Sequence, residues 1–198
     1  MPLASPATPD AFYCGLRLVS LDGSGLEVAD EAANREAFGV PGTQQGRTGY
    51  PQLRFVGLLE NGTHVLFGVA LEGYQDAEPI YRLMTTLLDS RAAAAQELAA
   101  LYQSRWTIET TFAEMKTTLK GANVILCSKT PELVRQEFWG LLLAHHVVRK
   151  LMLEAALIQG KPPDGLSFKH SLSLMCRKLP ASGALPPRAV PEVVAEIA

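Results

Sequence analysis

Four side chains that could act on a phosphate or hold a metal ion recur at helical spacing in the segment LYQSRWTIETTFAEMK, residues 101–116. Tyr102, Arg105, Glu109 and Lys116 follow one another at steps of three, four and seven residues. At about 100° per residue, they fall within about 60° of each other on an α-helix. Arginine offers phosphate a planar fork of donors, lysine offers a mobile point charge, and carboxylates are ligands that Mg²⁺ prefers. The alternative is a solvated i,i+4 ion pair between Arg105 and Glu109.

The remaining residues of this helix divide into an apolar stripe and a wet one, and the four-residue stripe runs between them. Trp106 lies just off that stripe, where it either stacks on a nucleic-acid base or packs against the next helix. The predicted buried stripe is Leu101, Ile108, Phe112, Met115 and Leu119. The predicted wet stripe is Gln103, Thr107, Thr110, Thr111, Glu114 and Thr118.

The elements that must position this helix are β-strands, and they come earlier in the chain. Residues 16–21 predict a strand that ends at the turn signal Asp22-Gly23. Two β-rich runs flank Asn61-Gly62, which is a strong hairpin signal. The run YRLMTTLLD, residues 81–89, predicts one more strand.

Helices follow the strands. Residues 91–121 predict one long amphipathic helix that ends at Gly121. Thr130-Pro131-Glu132 has the composition of a helix start, and that helix can run to Gly160. A third helix is predicted near Ser167, with room for one short helix in the Pro-rich tail. Strands first and helices afterwards indicate an α+β fold in which helices cover a largely antiparallel sheet.

The bulk composition fits one globular domain without a strong net field. The chain has 198 residues, 47% of them hydrophobic, and a formal net charge of −2. A nucleic-acid partner would therefore have to be held by a local basic patch. Three scattered cysteines favour a reduced, cytoplasmic setting over a disulfide framework. No signal peptide or membrane-spanning run is visible, so no membrane partner is expected.

The pattern Tyr-x2-Arg-x3-Glu-x6-Lys resembles the signature of DDE transposases of bacterial insertion sequences, in the group named after insertion sequence four. The segments LDGSGLEVAD, YRLMTTLLD and SKTPELVRQEFWGLLLAHHVVRKLM are also similar to that family, so the resemblance covers most of residues 16–179. It implies an RNase H-like fold, here a truncated sheet of about four mainly antiparallel strands covered by C-terminal helices. The expected organisation is a lead-in over 1–15, an incomplete catalytic domain over 16–179, and a Pro-rich tail over 180–198.

The resemblance also implies a site and its partners. In the family, three acidic residues hold two Mg²⁺ or Mn²⁺ ions, which polarise the phosphodiester and stabilise the leaving oxygen. It identifies Asp22 as the first acid and Glu109 as the last, although Asp22 also fits a simple Asp-Gly turn. Tyr102, Arg105 and Lys116 would support Glu109 and contact DNA. The implied partners are transposon-end DNA and either this chain or a full-length transposase, in the bacterial cytoplasm at the nucleoid.

The second acid of the family pattern is missing. The segment FGVALEGYQDAEP runs directly into IYRLMTTLLD, with no hydrophobic strand followed by Asp between them. The nearby acidic residues that could substitute for it are Asp76, Glu78 and Asp89, and each also fits the role of a turn residue. We therefore predict a transposase-type protein with weakened metal binding that is catalytically incomplete by itself. The alternative is a non-catalytic remnant that binds DNA or a transposase.

Three other features bear on DNA binding. The loop GTQQGRTG lacks the end of a P-loop, but Arg47 and the nearby Arg54 could touch a DNA backbone. The consecutive His145 and His146 diverge on a helix, which favours a satisfied helical pair over a metal site. Six basic residues make the helical half locally basic, either as a DNA-facing surface or as solvated faces. They are Arg135, Arg149, Lys150, Lys169, Arg177 and Lys178.

Overall fold

A computed structural model of the chain describes residues 2–41, 49–72, 106–179 and 187–198. Over these residues the fold is α+β with antiparallel sheets, in agreement with the predicted class. The strands are β1 (Phe12–Tyr13), β2 (Leu16–Arg17), β3 (Val19–Glu27), β4 (Gln52–Glu60) and β5 (Val65–Glu72). The helices are α1 (Ala32–Phe38), α2 (Trp106–Ala113), α3 (Pro131–Gln159), α4 (Phe168–Lys178) and α5 (Val190–Ile197). A π-helical segment, Glu114–Leu119, continues α2 directly.

The main sheet has the order β3-β4-β5, and both pairings are antiparallel. One face of β3 and β4 alternates buried residues that pack under the helices, among them Leu26, Leu53 and Phe55. The opposite face exposes Val19, Leu21 and Val56. Strands β1 and β2 form a separate two-stranded ribbon. The predicted strand over 81–89 lies outside the described residues.

The first predicted strand is wrong in its end point. Strand β3 runs through Asp22 and Gly23 to Glu27. The pairing with β4 is continuous from Val19 opposite Glu60 to Glu27 opposite Gln52. Asp-Gly favours a turn only through local interactions, whereas a continued strand gains pairing with β4 at nine consecutive positions. The strand therefore continues through this dipeptide. Asp22 therefore lies in the middle of a strand, opposite Gly57.

The hairpin predicted at Asn61-Gly62 is present as the connection between β4 and β5. Gly62 has φ +80°, and a Cβ atom there would lie 2.3 Å from the carbonyl oxygen of Pro9. His64, later in the same connection, also has a positive φ of 56°. The turn thus requires glycine for two reasons, its backbone conformation and the close approach of the N-terminal segment.

The long helix predicted to end at Gly121 is described from Trp106 onward, and it is not uniformly α-helical. The α-helix passes into the π-helical segment at Glu114, and Gly121 follows with φ +96°. A π segment rotates the residues after it relative to a regular helix, so the predicted angular positions hold only up to Ala113. Ile108, Phe112 and Met115 are buried as predicted, whereas Leu119 is half-buried.

Helix α3 begins and ends where its capping signals predict, and α4 begins at the predicted position. Thr130 accepts a hydrogen bond from the amide of Leu133 at the start of α3, and Gly160 closes it with φ +64°. Ser167 accepts one from the amide of His170 at the start of α4. These boundaries depend on side chain to backbone bonds within one turn, which sequence alone specifies. The short helix α1 had no such signal and was not predicted.

Two hydrophobic clusters hold the fold together, and α3 contributes to both. The first lies under the sheet and joins Leu26, Phe55, Phe112 and Phe138. The second joins the C-terminal half of α3 to α4 and α5 through Met152, Phe168, Leu174 and Val193, among others. The helix that carries Glu109 therefore packs against the sheet, while the C-terminal helices pack on the far end of α3.

The N-terminal segment is attached to the sheet by a buried carboxylate. Glu60 is fully buried and accepts hydrogen bonds from the amides of Leu3 and Ala4, each at 2.8 Å, and from the hydroxyl of Thr63 at 2.7 Å. Arg17 forms an ion pair with the same carboxylate. The β1–β2 ribbon spans the predicted boundary between residues 15 and 16, and the division into lead-in, domain and tail stays a prediction.

Candidate functional site

Three of the predicted site residues line one groove between the sheet and helix α2. Asp22 comes from β3, Glu109 from α2 and Lys116 from the π-helical segment. The groove has a volume of about 380 Å³, and we call it the acidic groove. Tyr102 and Arg105 lie outside the described residues, so their positions relative to this groove stay predictions.

Helix α2 packs closely against strand β4 beside Asp22. Gly57, the residue paired with Asp22, lies below the ring of Phe112, and a Cβ atom there would stand 3.5 Å from that ring and 2.9 Å from Leu66. Phe112 also meets Phe55 edge-to-face, with ring centroids 5.2 Å apart. A Cβ atom at position 57 would be in ordinary contact with the Phe112 ring and too close to Leu66, so the small residue lets the ring pack directly against the strand.

A hydrogen bond to Ser24 on strand β3 holds Lys116 in this groove. Its Nζ donates a hydrogen bond to Oγ of Ser24 at 3.1 Å, across 92 positions of sequence. Burial, together with repulsion from Lys120, holds the pKa of Lys116 below its ordinary value. A partly desolvated ammonium beside a second one is better stabilised by an anion than by water.

The two carboxylates differ in their surroundings. Asp22 Oδ1 accepts a hydrogen bond from the amide of Gly23 at 2.8 Å. A local bond of this kind would also fit Asp22 as the first residue of an Asp-Gly turn. Glu109 is exposed to solvent. Both can offer oxygen ligands to a hard cation entering the acidic groove.

Among the described residues, Asp22 and Glu109 are the carboxylates that line the acidic groove, and two carboxylates offer ligands for one divalent ion with its waters rather than for a pair of ions. No cluster of three or more His, Cys, Asp or Glu residues suited to a metal occurs in the parts of the chain that the structure describes. Asp76, Glu78 and Asp89, the predicted substitutes for the missing acid, lie outside those parts. Two bridging ions need more carboxylate oxygens than Asp22 and Glu109 supply.

Sequence reasoning missed a buried charged cluster behind the site. Glu114, predicted on the wet stripe, is 13% exposed and forms an ion pair with Arg149, whose Nε lies 3.0 Å from Oε2. His145, which is fully buried, places Nε2 at 3.2 Å from the same oxygen. Arg149 was predicted to lie either on a DNA-facing surface or on a solvated face, and its burial contradicts both alternatives. These partners lie 31 and 35 positions from Glu114, so no local signal could reveal them.

The cluster continues to the β4–β5 hairpin. Nη2 of Arg149 lies 3.2 Å from Nδ1 of His64, and Nε2 of His64 lies 2.8 Å from Oδ1 of Asp164. Arginine has only donors, so Nδ1 of His64 must be the acceptor and the ring proton sits on Nε2, facing Asp164. The cluster thus connects the π-helical segment, α3, the hairpin and the turn after α3.

Opposing effects set the ionisation of this cluster. Burial alone would raise the pKa of Glu114, but His145 and Arg149 outweigh it, so that pKa lies below its ordinary value. Burial lowers the pKa of His145, and Glu114 offsets this only in part. The hydrogen bond with His64 lowers the pKa of Asp164. At neutral pH the cluster therefore holds two carboxylates, one guanidinium and a neutral His145.

The other predicted basic residues have varied surroundings. Arg135 pairs with Glu132 at 3.7 Å, and Lys178 pairs with Glu196. Lys150, Lys169 and Arg177 are exposed. Arg54 is exposed on β4, and Arg47 lies outside the described residues. Trp106 is 61% exposed, so its ring is not part of the core, and its stacking on a base or packing against a helix stays a prediction.

Comparison with known proteins identifies the family. The family model described as "Transposase DDE domain" matches residues 22–146, which include Asp22, Glu109 and Lys116. "Transposase InsG for insertion sequence element IS4" of Escherichia coli (strain K12) is 36% identical over 120 residues, 60% of this chain and 27% of that protein. "Putative transposase InsZ" of the same strain is 29% identical over 79 residues, 38% of this chain and 26% of that protein.

The match has defined limits. The chain spans about a quarter of the length of these two relatives. No solved structure matches it significantly. None of the described helices is both long and apolar enough to cross a bilayer. Because the family model covers more than half of the chain, and covers the acidic groove within it, this protein belongs to the transposase DDE domain family.

Proposed function

We propose that this chain is a transposase-type protein of DNA transposition that binds DNA at the acidic groove. The observation that carries the proposal is the placement of Lys116 in one groove with Asp22 and Glu109. A partly desolvated ammonium suits a phosphate oxygen, and two carboxylates beside it suit the cation that accompanies a phosphodiester. The RNase H-like arrangement of strands belongs to the same proposal, supported by the antiparallel β3-β4-β5 order and the helix laid across it.

Each residue has a separate role in this proposal. Asp22 and Glu109 would hold a divalent ion, Mg²⁺ or Mn²⁺, which when bound polarises the phosphodiester. Lys116 neutralises a phosphate beside that ion, and Ser24 keeps its ammonium aimed into the groove. Tyr102 and Arg105 would add contacts on the same side, as their spacing predicts. The described part of the groove offers no third acid, so we propose that the chain by itself is catalytically incomplete.

The test is DNA affinity as a function of salt. We expect weak binding to duplex DNA, insensitive to sequence, that weakens steeply as salt rises, because phosphate contacts release counterions. Lys116→Ala and Arg105→Ala should each weaken binding and lower the salt slope by about 1. Lys129→Ala is the matched control, since Lys129 is 80% exposed and lies next to Glu31, outside the lining of the acidic groove. Affinity that is flat with salt, or unchanged by both substitutions, overturns the proposal.

A second candidate is a non-catalytic module that binds a full-length transposase or another copy of this chain. The uncovered face of the sheet favours it, since Val19, Leu21 and Val56 are 41%, 51% and 38% exposed. Exposed apolar patches of this kind occur at protein contacts. Leu21→Asn should abolish such a contact in sedimentation or co-purification while leaving DNA affinity unchanged, because it removes the apolar side chain without adding a charge.

A further inference from the structure

A second groove opens beside the acidic groove, on the other side of Lys116. It has a volume of about 580 Å³, within the range of roughly 300 to 1,000 Å³ typical of small-ligand sites. Lys116 and Thr117 line both grooves, so the two are continuous. We call the second one the lysine groove. Its polar lining is Glu27, Tyr50, Gln52, Lys116, Thr117, Lys120 and Asn123.

Hydrogen bonds hold the two lysines of this groove, and neither has an acidic partner among the described residues. Lys120 donates hydrogen bonds to the carbonyls of Gly121 and Val124, which fixes its ammonium at the end of the π-helical segment. No carboxylate of the described residues lies within 4.0 Å of either Lys116 or Lys120. Two fixed ammonium groups four positions apart repel each other, and that repulsion contributes to the low pKa of Lys116. An anion between them would remove the repulsion.

An aromatic ring lies in the same groove. Tyr50 is 47% exposed, so part of its ring is open to solvent where it lines the groove. Aromatic faces beside a cationic track are the common element of proteins that bind single-stranded nucleic acids, because any base can stack on them. In a duplex the bases are stacked on each other, so only an unpaired nucleotide can present its face to Tyr50.

From this geometry we infer that the lysine groove is a subsite for an unpaired nucleotide, with its phosphate on Lys116 and Lys120 and its base stacked on Tyr50. The inference rests on the proposed DNA binding, and it adds a strand-specific site next to the acidic groove. A strand that places one phosphate at Asp22 and Glu109 would pass Lys116 and enter the lysine groove with its next nucleotides. Asn123 offers an amide to a base edge there.

The experiment is fluorescence anisotropy with a labelled eight-nucleotide oligothymidylate, compared with a blunt duplex of the same length, over a salt series. Tyr50→Ala should weaken single-strand binding roughly tenfold and duplex binding little, because stacking on the ring is lost. Tyr50→Phe keeps the ring and should bind like the parent chain. Lys120→Gln should lower the single-strand salt slope by about 0.7, and Lys120→Arg should restore it.

Glu27, which lines the lysine groove, allows a substitution that should strengthen binding rather than weaken it. Glu27 is exposed and brings a negative charge to the phosphate path, so Glu27→Gln should tighten single-strand binding. Tyr50 and Glu27 are both at the surface, so neither variant should change the thermal midpoint, which is the check on folding.

The outcomes separate this inference from the proposed function. If Lys116→Ala weakens duplex binding while the changes at Tyr50 and Lys120 leave single-strand binding unaltered, the nucleotide subsite is refuted and DNA binding at the acidic groove stands. If no DNA binds at low salt, both fail. Equal losses for single strand and duplex in Tyr50→Ala would also refute the subsite, since they would remove its preference for an unpaired base.

Discussion

Glu114 accepts two hydrogen bonds from the guanidinium of Arg149, from Nε at 3.0 Å and from Nη2. The carboxylate belongs to the π-helical segment that also carries Lys116, and the guanidinium belongs to the middle of α3. A bidentate pair of this kind fixes both distance and orientation. It therefore sets how the helix of Glu109 and Lys116 lies against the rest of the fold, although neither partner faces either groove.

Breaking this pair should destabilise the protein strongly. Glu114→Gln and Arg149→Met each leave an unpaired group buried, at a cost of about 3 to 5 kcal/mol in the free energy of unfolding. The measurement is chemical denaturation followed by circular dichroism. Glu132→Gln, in the exposed pair with Arg135 at 3.7 Å, is the matched control on α3 and should cost less than about 1 kcal/mol. A loss at Glu114 no larger than this control would show that the pair is solvated.

Stability should fall in two stages as pH decreases. The pKa of His145 lies below its ordinary value of 6.5, so between the folded and unfolded values only the unfolded chain takes up the proton. The contribution of His145 to the free energy of unfolding is therefore fully present above pH 6.5 and is lost as the pH falls below it. The pKa values of Glu114 and Asp164 are lowered from 4.5 and 3.8, so their contributions are lost at still lower pH, as it falls through the folded values.

Urea midpoints at pH 7, 6 and 5 test the first stage. His145→Gln should flatten the decline between pH 6.5 and 5, because it removes the titrating ring. The exposed His170 gives the control substitution, His170→Gln, which should leave the decline in place. His146 also has a lowered pKa and contributes with the same sign, so some slope should persist. An unchanged slope in His145→Gln would place the acid sensitivity elsewhere.

Two glycine substitutions should have opposite effects on stability. Gly62→Ala would place Cβ 2.3 Å from the carbonyl oxygen of Pro9 at a φ of +80°, so it should destabilise by at least about 2 kcal/mol. Gly140→Ala is on α3 with open space around it, and should stabilise by about 0.5 to 1 kcal/mol. Thermal or urea unfolding measures both. Similar shifts in both variants would contradict the close contact at the hairpin.

DNA cleavage by this chain alone should be undetectable with Mg²⁺ or Mn²⁺. Asp22 and Glu109 can hold one ion loosely, and they cannot fix both the attacking and the leaving oxygen. The assay is nicking of a labelled transposon end, with Glu109→Ala as the control. Metal-dependent nicking that Glu109→Ala abolishes would contradict incompleteness and direct attention to Asp76, Glu78 or Asp89 as the third acid.

The sequence by itself determined the features that local chemistry specifies. The ends of α3 follow from Thr130 and Gly160, and the β4–β5 connection follows from Asn61-Gly62, because each signal acts within one turn of the chain. The stripe spacing also indicated the family through Glu109 and Lys116.

The tertiary structure decided the features that depend on distant partners. Asp22 became a mid-strand residue because β4 pairs with it at Gly57. Glu114, predicted to face water, is only 13% exposed, and Arg149, predicted to lie on a DNA-facing or solvated surface, is buried. Each provides the charge that makes burial of the other tolerable. Lys116 stays aimed along the grooves because Ser24, on another element, accepts its hydrogen bond. A sequence pattern does not indicate contacts between residues that lie 35 or 92 positions apart, because only folding brings those residues together.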